Sequence, residues 1–180
     1  MQFIPTKIEG VFVLEVERKE DMRGFFARIF SRDELKERGL VDDYPQHNVG
    51  YNHAKGTLRG MHFQRAPHAE AKLVRCTHGS VFDVALDIRP DSATFLQWVA
   101  FELSAENHRM LYIPEGCAHG YQTLEDATEM SYLTSQLYIP QSATGFRHDD
   151  SAFAIGWPLP VACISDADRK WPDFSPGSLR

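Results

Sequence analysis

The chain has 180 residues, 43% hydrophobic and 24% charged, a balance that excludes a disordered or low-complexity polymer and suits a single globular domain over 1–180. Its formal net charge is −6 with a pI near 5.7, which argues against a nucleic-acid coat or a basic membrane binder. The N-terminal MQFIPTKIEG has no apolar leader core and no 18-residue apolar run follows, so the expectation is a soluble, cytoplasmic protein without a membrane partner.

In chain order, GVFVLEVE (10–17) alternates from Val11 and reads as a strand. Ser31 stands as an N-cap before RDELKERG, and Gly39 closes the run, which predicts one short helix near 32–38. LRGMHFQ (58–64), AKLVRCT (71–77), SVFDVALDI (80–88), FLQWVAFEL (95–103), RMLYIP (109–114), HGYQTL (119–124) and TEMSYLTSQLY (128–138) then follow as short β-rich runs between turn residues. This pattern predicts an all-β antiparallel sandwich or barrel. In SVFDVALDI, alternation puts Phe82, Val84, Leu86 and Ile88 on one face and Asp83 and Asp87 on the other, which suits a barrel with a polar interior or rim. The tail from Asp166, with Pro172 and Pro176, is polar and is expected to wrap the surface.

Cys76, Cys117 and Cys163 form no CxxC pair. Neither a disulfide framework nor a cysteine zinc site is indicated, and small buried thiols in a reducing compartment are expected. Eight histidines are many for this length, and four of them crowd into QHNVGYNHAKGTLRGMHFQRAPHAEAK (46–72) beside two arginines and two lysines. Such a cluster suggests a metal site or an acid–base site that handles an anion.

For a metal, Pro114, Gly116 and His119 in PEGCAHG match the Pro-x-Gly-x-x-His half of metal-binding cupins. The His-x-His half does not match, because Gln64 stands two residues after His62. Two imidazoles and Glu70 make a poor ligand set, so no metal is expected. For acid–base work, His62 taken alone reads most simply as a structural histidine, and Tyr132 as a packed aromatic. His47, His53, His68, His78 and His108 read as surface or loop residues, and Trp98, Trp157 and Trp171 as packing residues.

Six segments together change that reading. DMRGFFARIF (21–30), LRGMHFQ, AKLVRCTHGSVFDVALDIRPDSATF (71–95), IPEGCAHGYQTL, GFRHDDSAFAIGWP (145–158) and SDAD (165–168) resemble, in order and at compatible spacing, motifs of the dTDP-4-dehydrorhamnose 3,5-epimerase family. The resemblance implies a jelly-roll (cupin) fold without metal or other cofactor, working as a homodimer. It implies epimerisation at C3, C5 or both of a nucleotide-diphospho-4-keto-6-deoxyhexose, in the biosynthesis of a rhamnose-type deoxysugar. By motif position, His62 is the base, Asp168 its carboxylate partner, Tyr132 the acid on the opposite face and Lys72 the cation beside the sugar. Arg23 and Arg59 match the diphosphate contacts. Phe26, Arg28, Gln46, Asn48, His119 and Tyr138 match positions near the substrate.

The chemistry agrees with these residue types. A 4-keto group acidifies the hydrogens on C3 and C5 through enolate delocalisation, so one base and one acid on opposite faces suffice and no redox cofactor is needed. Two points stay open in the sequence. Strict alternation puts Arg59 and His62 on opposite strand faces, unless Gly60 marks a bulge or Arg59 reaches round from the rim. Arg28 replaces a family glutamate near the nucleotide base; a guanidinium only donates, which suits the acceptors of cytosine better than thymine N3–H. A C3-only epimerase on another, for example CDP-linked, sugar is therefore an alternative, as is a non-catalytic nucleotide-sugar-binding cupin.

Overall fold

The computed structural model describes residues 1–175 and 177; Pro176 of the tail lies outside the described residues. Strands β1 (Gln2–Pro5), β2 (Phe12–Glu15), β3 (Lys19–Asp21) and β4 (Gly24–Phe26) lead to helix α1 (Arg32–Lys36). Then come β5 (Gln46–Asn52), β6 (Thr57–Gln64), β7 (Lys72–His78), β8 (Ser80–Asp87) and β9 (Trp98–Ser104). The chain continues through β10 (Met110–Ile113), β11 (Cys117–Thr123), β12 (Thr128–Thr134), β13 (Ala143–Gly145) and β14 (Cys163–Ile164) to helix α2 (Asp166–Arg169).

One six-stranded sheet has the order β1-β2-β10-β7-β12-β5, and the other runs β13-β6-β11-β8-β9 with β14 added along β6. Apart from that parallel β14–β6 pair, the pairings are antiparallel. Spatial neighbours such as β2 and β10, or β6 and β11, are far apart in sequence, as in a jelly roll of the cupin kind.

The two sheets share an apolar core. Val74, Cys76, Leu111 and Met130 from the first meet Val81, Ala85, Val99 and Leu103 from the second, all buried. Alternation in β8 works on both faces. Val81 and Ala85 point between the sheets, while Val84 and Leu86, with Ile88 just beyond, pack under the C-terminal segment against Phe146, Phe153 and Ile155. Asp83 and Asp87 are fully buried on the inter-sheet side. Helix α1 is capped as expected, with Ser31 Oγ accepting from Glu34 N at 3.4 Å. Its one buried residue, Leu35, covers the outer face of the first sheet beside Leu14, Leu73 and Tyr112.

Several expectations need correction. The run at 95–103 is strand only from Trp98, because Leu96 takes φ +62 in a turn. The run at 128–138 stops at Thr134, and the following loop is held by side chains of the site. Strand β5 was not legible, because its half-buried positions Gln46, Asn48 and Gly50 are polar or small and face a cavity rather than a core. The tail does not simply wrap the surface: Asp166–Arg169 forms α2, and Asp168 is buried. Cys76 and Cys117 are buried, but Cys163 is exposed.

Candidate active site

A cavity of about 570 Å³ opens between the sheets. Alternation aims Gln46 and Asn48 of β5, and Tyr132 and Thr134 of β12, into it, while His47, Val49 and Tyr51 stay exposed. From the facing sheet, β6 supplies Arg59, His62 and Gln64, and β11 supplies His119 and Tyr121. His62 and Tyr132 thus approach the cavity from opposite sheets.

A bulge reconciles Arg59 with His62. His62 pairs with His119 and Arg59 with Tyr121, so two residues of β6, Gly60 and Met61, stand opposite one of β11, Gly120. Gly60 makes this possible with φ +127, and a Cβ there would lie 2.5 Å from Gly120 Cα. The extra residue resets the alternation, and both Arg59 and His62 line the cavity.

His62 Nε2 lies 2.6 Å from Asp168 Oδ1. The same carboxylate accepts from Gly60 N at 3.3 Å and from Trp171 Nε1 at 3.2 Å. Ser165 caps α2 by accepting from Asp168 N at 3.0 Å, which fixes the carboxylate's approach. Burial pushes the Asp168 carboxyl up, but the hydrogen bond and charge of His62, with the Gly60 and Trp171 donors, outweigh it and hold the group below the ordinary range. Asp168 is therefore a carboxylate at neutral pH. With the His62 proton on Nε2 toward Asp168, the Nδ1 lone pair is left to accept a proton.

Cations are fixed around this dyad. Arg59 Nε donates to Asn52 Oδ1 at 2.8 Å and its Nη2 to the Tyr51 carbonyl at 3.1 Å. Lys72 is buried and pairs with Glu70 at 3.1 Å. Beside the dyad, His119 Nε2 lies 3.0 Å from both oxygens of the fully buried Asp83. Each cavity histidine thus has its own aspartate. Among the described residues no group of three or more His, Cys, Asp or Glu is clustered to hold a metal ion.

Of the expected site residues, His62, Lys72, Tyr132, Asp168, Gln46, Asn48, Arg59, His119 and Tyr138 come together around the cavity. Arg23, Phe26 and Arg28 do not. The β3–β4 hairpin pairs only with itself and stands away from the cavity of its own chain. Arg23 bonds Asp21, Phe26 is 70% exposed, and Arg28 lies 3.7 Å from Glu34. Asp83 contacts His119. Trp171 is not simply a packing residue, since it lines the cavity and bonds Asp168. Gln64, Glu70 and Tyr121 also line it and were missed. Gln64 carried a signal, because it closes the strand that bears His62.

Comparison with known proteins agrees with this geometry. A family model described as dTDP-4-dehydrorhamnose 3,5-epimerase matches residues 5–176. A protein of that name from Escherichia coli (strain K12) is 46% identical over 161 residues, 88% of this chain and 85% of its own. The crystal structure of the enzyme of that name from Bacillus anthracis, with TDP and PPi bound, superposes with a TM-score of 0.92 at 38% identity, covering 96% of this chain and 99% of its own. A 3'-monoepimerase from Streptomyces bikiniensis, in complex with dTDP-quinovose, superposes with a TM-score of 0.87 at 30% identity, covering 94% and 86%.

Proposed function

The chain belongs to the dTDP-4-dehydrorhamnose 3,5-epimerase family, and from that premise we propose that it epimerises C3 and C5 of a dTDP-linked 4-keto-6-deoxyhexose in deoxysugar biosynthesis. The observation that carries this reading is the His62–Asp168 pair on one sheet with Tyr132 on the sheet opposite. His62 Nδ1 takes the proton from carbon, and the electron pair passes into the C4 carbonyl to form an enolate. Asp168 balances the positive charge gained by the ring. The Lys72 ammonium stabilises the enolate oxygen. Tyr132 returns a proton to the carbon from the opposite face, which inverts the centre, and solvent resets both groups. One proton leaves and one arrives, so no oxidant or reductant enters the balance.

The diphosphate is bound by Arg59 through its fixed guanidinium, and Gln46, Asn48, His119 and Tyr138 line the rest of the substrate site. Arg23, Phe26 and Arg28 belong to the site of a second copy in a homodimer. Their hairpin supports this assignment, since Met22 at its tip and Phe26 are left at 101% and 70% exposure. One domain over 1–180 is supported by the core common to both sheets. A cytoplasmic location is supported by three free cysteines. No helix among the described residues is long and apolar enough to cross a membrane.

A C3-only epimerase is the second reading, favoured by the likeness to the Streptomyces bikiniensis 3'-monoepimerase. The test is incubation with dTDP-4-keto-6-deoxyglucose in D₂O, followed by NMR at C3 and C5. Deuterium at both carbons is expected. Deuterium at C3 alone selects the second reading, and tight binding without exchange leaves a nucleotide-sugar-binding cupin. The CDP-linked sugar, run in parallel, tests the base preference at Arg28.

A further inference from the structure

Two side chains on the cavity wall, Glu70 and Gln64, connect to Lys72 and take no part in the steps above. Lys72 Nζ lies 3.1 Å from Glu70 Oε1 and donates to the His62 carbonyl at 3.4 Å. The second oxygen of Glu70, Oε2, accepts from Gln64 Nε2 at 3.2 Å. Gln64 Oε1 in turn accepts from Ile139 N at 2.7 Å, and its Nε2 donates to the Leu137 carbonyl at 3.2 Å. The side chains of Lys72 and Glu70 are only 10% and 11% exposed, so water screens the pair weakly.

A lysine ammonium rides on a flexible four-carbon stem and has no aim of its own. Here two of its three N–H directions are taken, one by a carboxylate and one by the carbonyl of the base residue itself. That arrangement ties the cation to His62 at a fixed separation and leaves the third N–H for the cavity side. A reaction that places a proton acceptor and an oxyanion partner around one sugar depends on such a separation.

We propose that Glu70 is the positioning residue for Lys72, holding the ammonium beside His62 where the enolate oxygen forms, and that Gln64 joins this pair to the 137–139 segment that carries Tyr138. The inference rests on the epimerase reading and adds to it a residue that acts on the oxyanion only through the lysine. The other titratable groups on the cavity wall are Arg59, His62, His119, Tyr121, Tyr132, Tyr138 and Asp168. A change confined to residue 70 leaves all of them in place.

The experiment compares the full-length protein with Glu70→Ala and Glu70→Gln, by kcat and KM, with folding checked by thermal melts. If the unmodified protein exchanges neither C3 nor C5, the epimerase reading itself has failed and the inference falls with it. Given exchange, Glu70→Ala is expected to lower kcat about 10- to 100-fold with KM changed less than about threefold. Glu70→Gln keeps an oxygen that accepts from Nζ, so it is expected to recover most of kcat at neutral pH. Full kcat in Glu70→Ala, or a Glu70→Gln protein that recovers none of the loss, overturns the proposal. Should Glu70→Ala fail to fold, Glu70→Asp, whose shorter arm draws the carboxylate back from Nζ, decides in its place: a lowered kcat with KM changed less than about threefold is expected, and full kcat overturns the proposal.

Discussion

His62 and His119 stand opposite one another in the register of β6 and β11, and each is bound through Nε2 to a separate aspartate, Asp168 at 2.6 Å and Asp83 at 3.0 Å. The two dyads differ in access. The His62 side chain is 42% exposed and that of His119 is 11% exposed, so only the first has a ring open to a substrate carbon. His62→Ala is expected to lower C3 and C5 deuterium exchange by about 10²- to 10⁴-fold, the usual weight of a general base. His119→Ala is expected to act mainly on KM. Steady-state exchange rates separate the two, and the reverse ranking would move the base to His119.

Tyr132 approaches from the sheet facing His62, so abstraction and return of the proton are separable. In Tyr132→Phe the base is intact, and washout of deuterium at carbon is expected to persist while formation of the inverted sugar falls by about 10²-fold or more. NMR of substrate and product in one sample measures both. Equal loss of the two signals would count against the opposite-face assignment.

Gly60 is where fold and chemistry meet. Its φ of +127 disfavours a side chain, and the Cβ of an alanine would meet backbone atoms, Gly120 Cα at 2.5 Å and the His119 carbonyl at 3.0 Å. Gly60→Ala is expected to destabilise the protein by at least about 2 kcal/mol in urea unfolding. It is also expected to lower activity in the molecules that remain folded, because the bulge sets the direction of His62.

Asp87 offers a stability test remote from the cavity. Burial pushes its carboxyl up, but Arg89, Ser92 and Thr94 outweigh this and draw it from the ordinary 3.8 down to about 2. A carboxyl depressed in the folded state stabilises fully above its unfolded value and loses that contribution as the pH falls through the folded one. The contribution is therefore present above about pH 4 and lost toward pH 2, and Asp87→Asn is expected to remove about 2 kcal/mol at pH 7. Chemical denaturation at pH 7 and pH 3 checks the sign, since the gap between the two proteins is expected to narrow at the lower pH.

Much of the strand order was legible because alternation and capping are local. Val81, Ala85, Val84 and Leu86 declare two faces within one strand, and Ser31 declares the start of α1 within one turn. Strand β5 escaped because alternation is visible only where one face is apolar, and its inward residues serve a cavity. Helix α2 escaped because its four residues are too few for a periodic signal. Glu70 and Gln64 escaped as site residues because their importance lies in contacts with Lys72 and the 137–139 segment rather than in their own type.

The sequence by itself determined the all-β class, the helix cap and, through six ordered motifs, the family. Tertiary structure decided how those residues meet. His62 and Asp168 are 106 positions apart, and only the return of the chain through β14 into α2 brings the carboxylate to the ring. The face of Arg59 depended on a bulge that Gly60 permits but does not announce, because glycine's freedom is compatible with either register until Gly120 packs against it. The hairpin with Arg23, Phe26 and Arg28 was read as part of the cavity, yet in a single chain it stands outside. A motif records that residues recur in a fixed order, not whether the fold of one chain brings them together.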